Sequence, residues 1–187
     1  MTEVVRLTLV SHAMTDAMAL ARFAADEPLN DTGRRQAETV GCLDITGAAR
    51  QLAGPERRAV QTAELLGLRP ITDPRLADLD CGRWRGDTLQ SIPPAELKVW
   101  MTDAEQAPHG GESIVDLIER VAGWLASLTP TLADNASPTF AVTHPAVIRA
   151  AILVALDAAP KSFWRIDIAP VSRTVMHFRG GGWTIRL

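Results

Sequence analysis

Cysteine is scarce in this sequence. Cys42 and Cys81 are the only two in 187 residues, they lie far apart, and their spacing matches no metal site. The pair reads as two reduced thiols in a cytosolic protein rather than a disulfide framework. Positive charge is not in surplus either. The formal net charge is −3 with histidine neutral, which argues against a nucleic-acid partner held by bulk charge and leaves room for a local basic pocket. No run approaches the ~20 apolar residues that cross a bilayer. The opening Met-Thr-Glu-Val-Val-Arg lacks a charged start, a long apolar stretch and a small-residue cleavage site. The expectation is a cytoplasmic chain with neither a membrane nor a nucleic acid as partner. Internal repeats and low-complexity tracts are missing as well.

What is present suffices for a core. Hydrophobic residues make up 47% of the chain and charged residues 22%. That suits one domain over residues 1–187, with a Pro-containing insertion around 88–111 that includes Pro93, Pro94 and Pro108. Val4 to Val10 is rich in β-branched and apolar residues and predicts a buried first strand. Asp31 or Thr32 is placed to cap a helix taking in Arg34, Arg35, Ala37 and Val40. A second strand is expected over Ala48 to Leu52. Pro55 suits the first turn of a helix running to about Leu66. Ile71 begins a short extended piece, and Asp73 to Gly86 reads as loop. One short helix is expected near Glu96 to Met101. Ser113 can cap a helix whose apolar positions, Ile114, Leu117, Ile118, Val121 and Leu125, fall at helical spacing. Thr139 to Thr143 is a further strand, and a helix follows Pro145. The tail holds two strand candidates joined by Gly180-Gly181-Gly182, a hairpin signal. The expected architecture is three-layer α/β/α, a mostly parallel central sheet with an antiparallel edge near the C-terminus.

Two histidines occupy parallel contexts. His12 follows the first strand, and His144 follows the strand ending at Thr143. Ligands of parallel α/β sheets bind outside the carboxyl ends of the strands, so both imidazoles belong to one edge.

The motifs around them resemble the histidine phosphatases, the phosphoglycerate-mutase-like superfamily. Pro28-Leu29-Asn30-Asp31-Thr32-Gly33-Arg34-Arg35-Gln36-Ala37 is similar to the family's Pro-Leu-Thr-x-x-Gly-x-x-Gln-Ala. Gly54-Pro55-Glu56-Arg57-Arg58-Ala59-Val60-Gln61-Thr62-Ala63 is similar to its Ser-Pro-x-x-Arg-Ala-x-Gln-Thr-Ala. The stretch Asp73 to Gly86 resembles its acid loop, Gly110-Gly111-Glu112-Ser113 a common helix start, and Val142 to Arg149 its second-histidine motif. The resemblance is colinear from about Leu7 to Arg149. It implies a metal-independent phosphomonoester hydrolase with no cofactor, acting on a small-molecule phosphomonoester. His12 corresponds to the nucleophile that becomes phosphohistidine, Arg58 to a phosphate-clamping arginine, and His144 to a second histidine donating to the phosphoryl group. Asp78 stands where the family places its acid, usually glutamate; Asp80 is the fallback. Dimers are common in the family, so a homodimer is an open option.

The departures bear on activity. Ser11 replaces the family's first arginine, Ala13 the glycine after the nucleophile, and Pro145 the glycine after the second histidine. Ser11 can still give phosphate one neutral hydrogen bond. Arg22, in the loop after His12, is the first candidate to replace the lost guanidinium; Arg57, Arg83, Arg85 and Arg173 are others. Two readings stay open: a phosphatase of reduced activity, and a pseudo-phosphatase that binds a phosphorylated or anionic ligand or a partner protein. A mutase, which would need a fuller basic rim, and a metal site of two histidines and a carboxylate fit less well. Specificity is expected from residues 14–27 and 88–111, whose mixture of Ala, Met, Phe, Trp and Pro suits a partly apolar leaving group. Trp84 reads as packing for the acid loop, the other tryptophans as core or interface, and His109 and His177 as incidental.

Overall fold

The computed structural model describes residues 4–45, 49–129 and 137–186. Its six strands are β1 (Val5–Ser11), β2 (Arg50–Ala53), β3 (Ile71–Thr72), β4 (Thr139–Thr143), β5 (Arg173–Arg179) and β6 (Gly182–Arg186). They form one sheet in the order β3-β2-β4-β1-β5-β6. The pairs β1 with β4, β2 with β4 and β2 with β3 are parallel; β5 runs antiparallel to β1 and to β6. The expected mixed sheet with an antiparallel edge is therefore present, and the glycine-linked hairpin is that edge. Ala48, where the sequence reading starts the second strand, lies outside the described residues, as does the chain's opening Met-Thr-Glu.

The helices are α1 (Asp16–Ala19), α2 (Asp31–Val40), α3 (Arg57–Leu65), α4 (Pro94–Thr102), α5 (Ile114–Ser127) and α6 (Pro145–Leu156). Strand alternation divides the interior in two. On β1, Leu7 and Leu9 pack with α5 and α6, around Leu117, Val121, Trp124 and Ile148. Val10 points the other way, into a cluster with Ala37 of α2, Ala63 of α3 and Val142 of β4. The α5 periodicity is borne out, because Ile114, Leu117, Val121 and Leu125 are all buried. Ser113 caps it as expected, in a reciprocal capping box with Asp116.

Other local expectations shift. The cap of α2 is Asn30, whose side chain accepts from the Gly33 amide, and not Asp31 or Thr32, which are already helical. Pro55 stands outside α3: Glu56 is the N-cap residue, with extended backbone and no side-chain bond to the helix amides. The acid loop contains two 3-10 turns, Pro74–Leu76 and Gly82–Trp84. α1, in a stretch up to about Asn30 that reads as irregular, and the 3-10 segment Pro160–Arg165 are both too short for a helical period to show. Among the described residues no helix is long and apolar enough to cross a membrane.

One glycine ties this frame to the first histidine. A Cβ at Gly33 of α2 would lie 2.1 Å from the Met14 carbonyl oxygen and 2.8 Å from the Met14 amide nitrogen. Those are backbone atoms two residues past His12, so they cannot swing aside. Gly33→Ala should cost ~1–3 kcal/mol from overpacking, against the ~1 kcal/mol that alanine gains as a helix former. A guanidinium unfolding midpoint equal to or above that of the wild type would show the contact to be unimportant.

Candidate functional site

The backbone delivers both histidines to one place. Ser11 of β1 is in register with Thr143 of β4. The His12 amide then donates to the Thr143 carbonyl at 2.9 Å. His12 and His144, each one residue past a strand end, stand with ring centroids 5.1 Å apart and planes at 61°. Both are buried, at 3% and 0% exposure. His12 lines a cavity of about 390 Å³ together with Arg58, Asp78, Arg22 and Arg149, and His144 lies behind it, outside the lining.

His12 has its tautomer set by one contact. Its Nδ1 lies 2.8 Å from the Ala13 carbonyl oxygen. A carbonyl only accepts, so Nδ1 carries the proton and the Nε2 lone pair is free. Burial, with the nearby charges of His144 and Arg58, pushes its pKa down to about 3. The ring is thus neutral and nucleophilic throughout the neutral range. The Ala13 amide donates to Thr62 Oγ1 at 3.0 Å, and Thr62 donates to the Arg58 carbonyl at 2.7 Å, which fastens the histidine's loop to α3.

Arg58, in the first turn of α3, is 2% exposed. Nη1 donates to the Ala25 carbonyl at 2.7 Å and Nη2 to Asp78 Oδ2 at 2.6 Å. Its Nε is buried without a partner. The Asp78 oxygen that holds Arg58 is also 3.4 Å from His144 Nδ1. Burial would raise the Asp78 pKa, but the nearby His144 and Arg58, with the Arg58 hydrogen bond, outweigh it and hold the carboxyl well below the usual carboxylate range. Asp78 is thus a carboxylate at the point on which an arginine and a histidine converge. Asp80 also lines the cavity but is exposed, and its carboxylate accepts from the Gly82 amide.

The remaining expected residues divide. Arg22 and Arg85 line the cavity, both exposed. Ser11 is fully buried and absent from the lining; its hydroxyl has only the His12 carbonyl, at 3.5 Å. Arg57 and Arg173 lie outside the cavity, and Arg83 is tied to Glu96 and to the Pro108 carbonyl. Trp84 is buried as expected, against Phe23 and His109. Trp100 and Trp164, read from the sequence as core or interface, pack against the core and also line the cavity, with Phe23 and Phe163. Of the two expected specificity segments, 14–27 contributes a full wall and 88–111 contributes Trp100.

Three participants were not singled out beforehand. Glu56 places Oε2 2.7 Å from His144 Nε2 and accepts from the Asp78 amide on Oε1 at 3.0 Å. Although burial opposes it, the bond to His144 holds this carboxyl below its ordinary pKa. Arg149 lines the cavity with its guanidinium 5.6 Å from the Phe163 ring centre and its Nε on the Ile166 carbonyl. Cys81 also faces the cavity, but burial and then the Asp78 and Asp80 charges push its thiol up to about 12, so it stays protonated. Among the described residues no group of three or more His, Cys, Asp and Glu has the arrangement to hold a metal ion.

Comparison with known proteins agrees with this geometry. Residues 7–187 match the family model described as "Histidine phosphatase superfamily (branch 1)". The chain is 32% identical over 178 residues to glucosyl-3-phosphoglycerate phosphatase of Mycolicibacterium vanbaalenii, covering 86% of this chain and 78% of that one. It is 24% identical over 185 residues to phosphoserine phosphatase 1 of Hydrogenobacter thermophilus, covering 92% and 86%. A mycobacterial glucosyl-3-phosphoglycerate phosphatase solved with VO3 superposes with a TM-score of 0.82 at 27% identity, over 98% of each chain.

The tautomer and burial of His12 lead to a direct expectation. A lowered pKa means that the neutral ring persists as pH falls, and protonates only near pH 3. In an NMR titration between pH 5 and 8, the His12 ring should show no protonation step. A midpoint near the ordinary ~6.5 would contradict the burial and charge described here.

Proposed function

The chain belongs to the histidine phosphatase superfamily and is a phosphatase of that type, and we propose that it hydrolyses phosphomonoesters without metal, through a phosphohistidine formed on His12. The observation that carries this is the free Nε2 of a neutral, buried His12 beside the Arg58 guanidinium and the His144 ring. Nε2 attacks phosphorus, and the bond from phosphorus to the ester oxygen breaks. Asp78 gives that oxygen its proton. Water, deprotonated by Asp78, then attacks phosphorus; the P–N bond breaks, and inorganic phosphate leaves with His12 restored. Arg58 and His144 supply positive donors to the equatorial oxygens. The similarity to active phosphatases gives no support to the reduced-activity or binding-only readings.

The substrate we propose is a small phosphomonoester carrying a second acidic group. The names of the relatives point that way, since phosphoglycerate and phosphoserine both join a phosphate to a carboxylate. This chain has a group to match. Arg149 has no carboxylate within 4.0 Å among the described residues, although burial lowers its pKa from the ordinary arginine value. A half-buried guanidinium with no carboxylate in direct contact is unfavourable, and an anionic ligand relieves it.

Hydrolysis of an aryl phosphate, with chelator present throughout, tests the reaction. Wild-type turnover should vanish in His12→Ala and fall ~10²–10³-fold in Arg58→Ala. Turnover that survives in His12→Ala, or needs added metal, would overturn the mechanism. Arg149→Gln should raise KM for phosphoserine or 3-phosphoglycerate at least ~10-fold while leaving KM for the aryl ester within ~3-fold. Equal effects on both would remove the acid-binding role.

A further inference from the structure

Position 54 decides what His144 touches. The motif that this segment resembles has serine there, and this chain has glycine. A Cβ built on Gly54 would lie 2.7 Å from the Leu76 carbonyl oxygen, 2.9 Å from His144 Nε2 and 3.1 Å from Glu56 Oε2. Any side chain at 54 would therefore crowd the contact between ring and carboxylate. With glycine in place, Glu56 turns away from the α3 amides that an N-cap side chain normally binds and reaches the imidazole at 2.7 Å.

We propose that Glu56 is a positioning residue that keeps His144 doubly protonated, with its Nδ1–H aimed at the transferring phosphoryl group, and that this cation takes over part of the work of the arginine that position 11 lacks. The assignment rests on the hydrolase reading above.

A carboxylate can only accept, so the short contact places a proton on His144 Nε2. On the other side, Nδ1 is sealed from solvent and has no hydrogen-bond partner. The group facing it is Asp78 Oδ2 at 3.4 Å, the same oxygen that Arg58 Nη2 holds at 2.6 Å. A lone pair on Nδ1 would face that negative oxygen unfavourably; a proton there faces it favourably. A phosphoryl oxygen arriving where Asp78 Oδ2 now lies would meet Arg58 and a second charged donor. Charge-assisted donors are roughly twice as strong as neutral ones. Glu56 is not free to swing off the ring, because Oε1 accepts from the Asp78 amide. The charged and titratable groups around His144 are thus Glu56, the N-cap residue of α3, Arg58 in α3, Asp78 of the acid loop and the neutral His12 after β1, with Arg149 further along α6. They sort the two imidazoles into different states: His12 has no carboxylate on its ring nitrogens, and His144 has one on each side.

The experiment is Glu56→Gln, which preserves size and an acceptor oxygen but removes the charge. Ring 15N shifts of histidine-labelled protein, with His144 assigned by its loss in His144→Asn, should report two protons on the wild-type ring at pH 7 and one in Glu56→Gln. In aryl phosphate hydrolysis, kcat should fall ~10-fold or more, and its alkaline limb should move down by about one pH unit or more. Glu56→Asp keeps the charge and should recover part of that limb. A neutral wild-type ring at pH 7, or a Glu56→Gln protein with the wild-type ring state and pH profile, overturns the proposal. Absence of turnover in the wild type would overturn the hydrolase reading alone, since the ring's protonation decides the Glu56 assignment by itself.

Discussion

The site depends on the parallel pairing of β1 with β4. Because Ser11 lies opposite Thr143, the next residue on each strand is a histidine, and one backbone bond from the His12 amide to the Thr143 carbonyl closes the ladder at that point. Side chains in a strand alternate with period two, so a one-residue slip would turn Leu7 and Leu9 out of the cluster formed with α5 and α6, and would part the rings. The hydrophobic register that keeps β1 buried is thus the same register that sets the two imidazoles 5.1 Å apart. Stability and chemistry share one constraint.

Within that frame, the charges do not repeat the arrangement that the motifs alone suggest. The first arginine of the pattern is a serine buried away from the cavity, and the helix-capping position of α3 holds a glutamate that caps nothing. Arg22 and Arg85 line the cavity from exposed positions, where a charge is screened and mobile and contributes little to fixing a transferring group. Less exposed groups sit closer in: Arg58, Asp78, Glu56 and His144 form one chain of contacts, each no longer than 3.4 Å. A buried charge is tolerated only with partners, and each of these is a partner of the next.

How much of this could be read beforehand follows from the range over which sequence signals act. Strand runs, the α5 period, the Ser113 cap and the glycine hairpin are local patterns, and they appear where expected. His12, His144, Arg58 and Asp78 were legible because motif spacing marks them, and the structure brings all four together. Glu56 was visible only as an unspecified motif position. Its contact with His144 spans 88 residues and depends on the missing side chain at Gly54, which no period or cap rule encodes. Phe163 and Trp164 were missed for a related reason: the 3-10 segment that carries them has no helical repeat, yet it folds back over the cavity beside Trp100. The cap of α2 is Asn30 and not Asp31 or Thr32, a choice the sequence leaves open because Asn, Asp and Thr all cap well and stand in a row.

The resting position of Asp78 bears on how the proposed reaction starts. An acid must hold a proton to give one away, and the free site keeps Asp78 ionised against Arg58 and His144. A phosphate dianion competes for those two groups. As it takes them, Asp78 loses the cations that depress its pKa and gains a negative neighbour, and both changes favour the protonated carboxyl. Burial, which already acts in that direction, then meets less opposition. In the proposed reaction the acid is thus charged before the phosphate ester binds and neutral once it has bound. In that proposed reaction, binding and proton delivery become one event, governed by the carboxylate oxygen that Arg58 and His144 share.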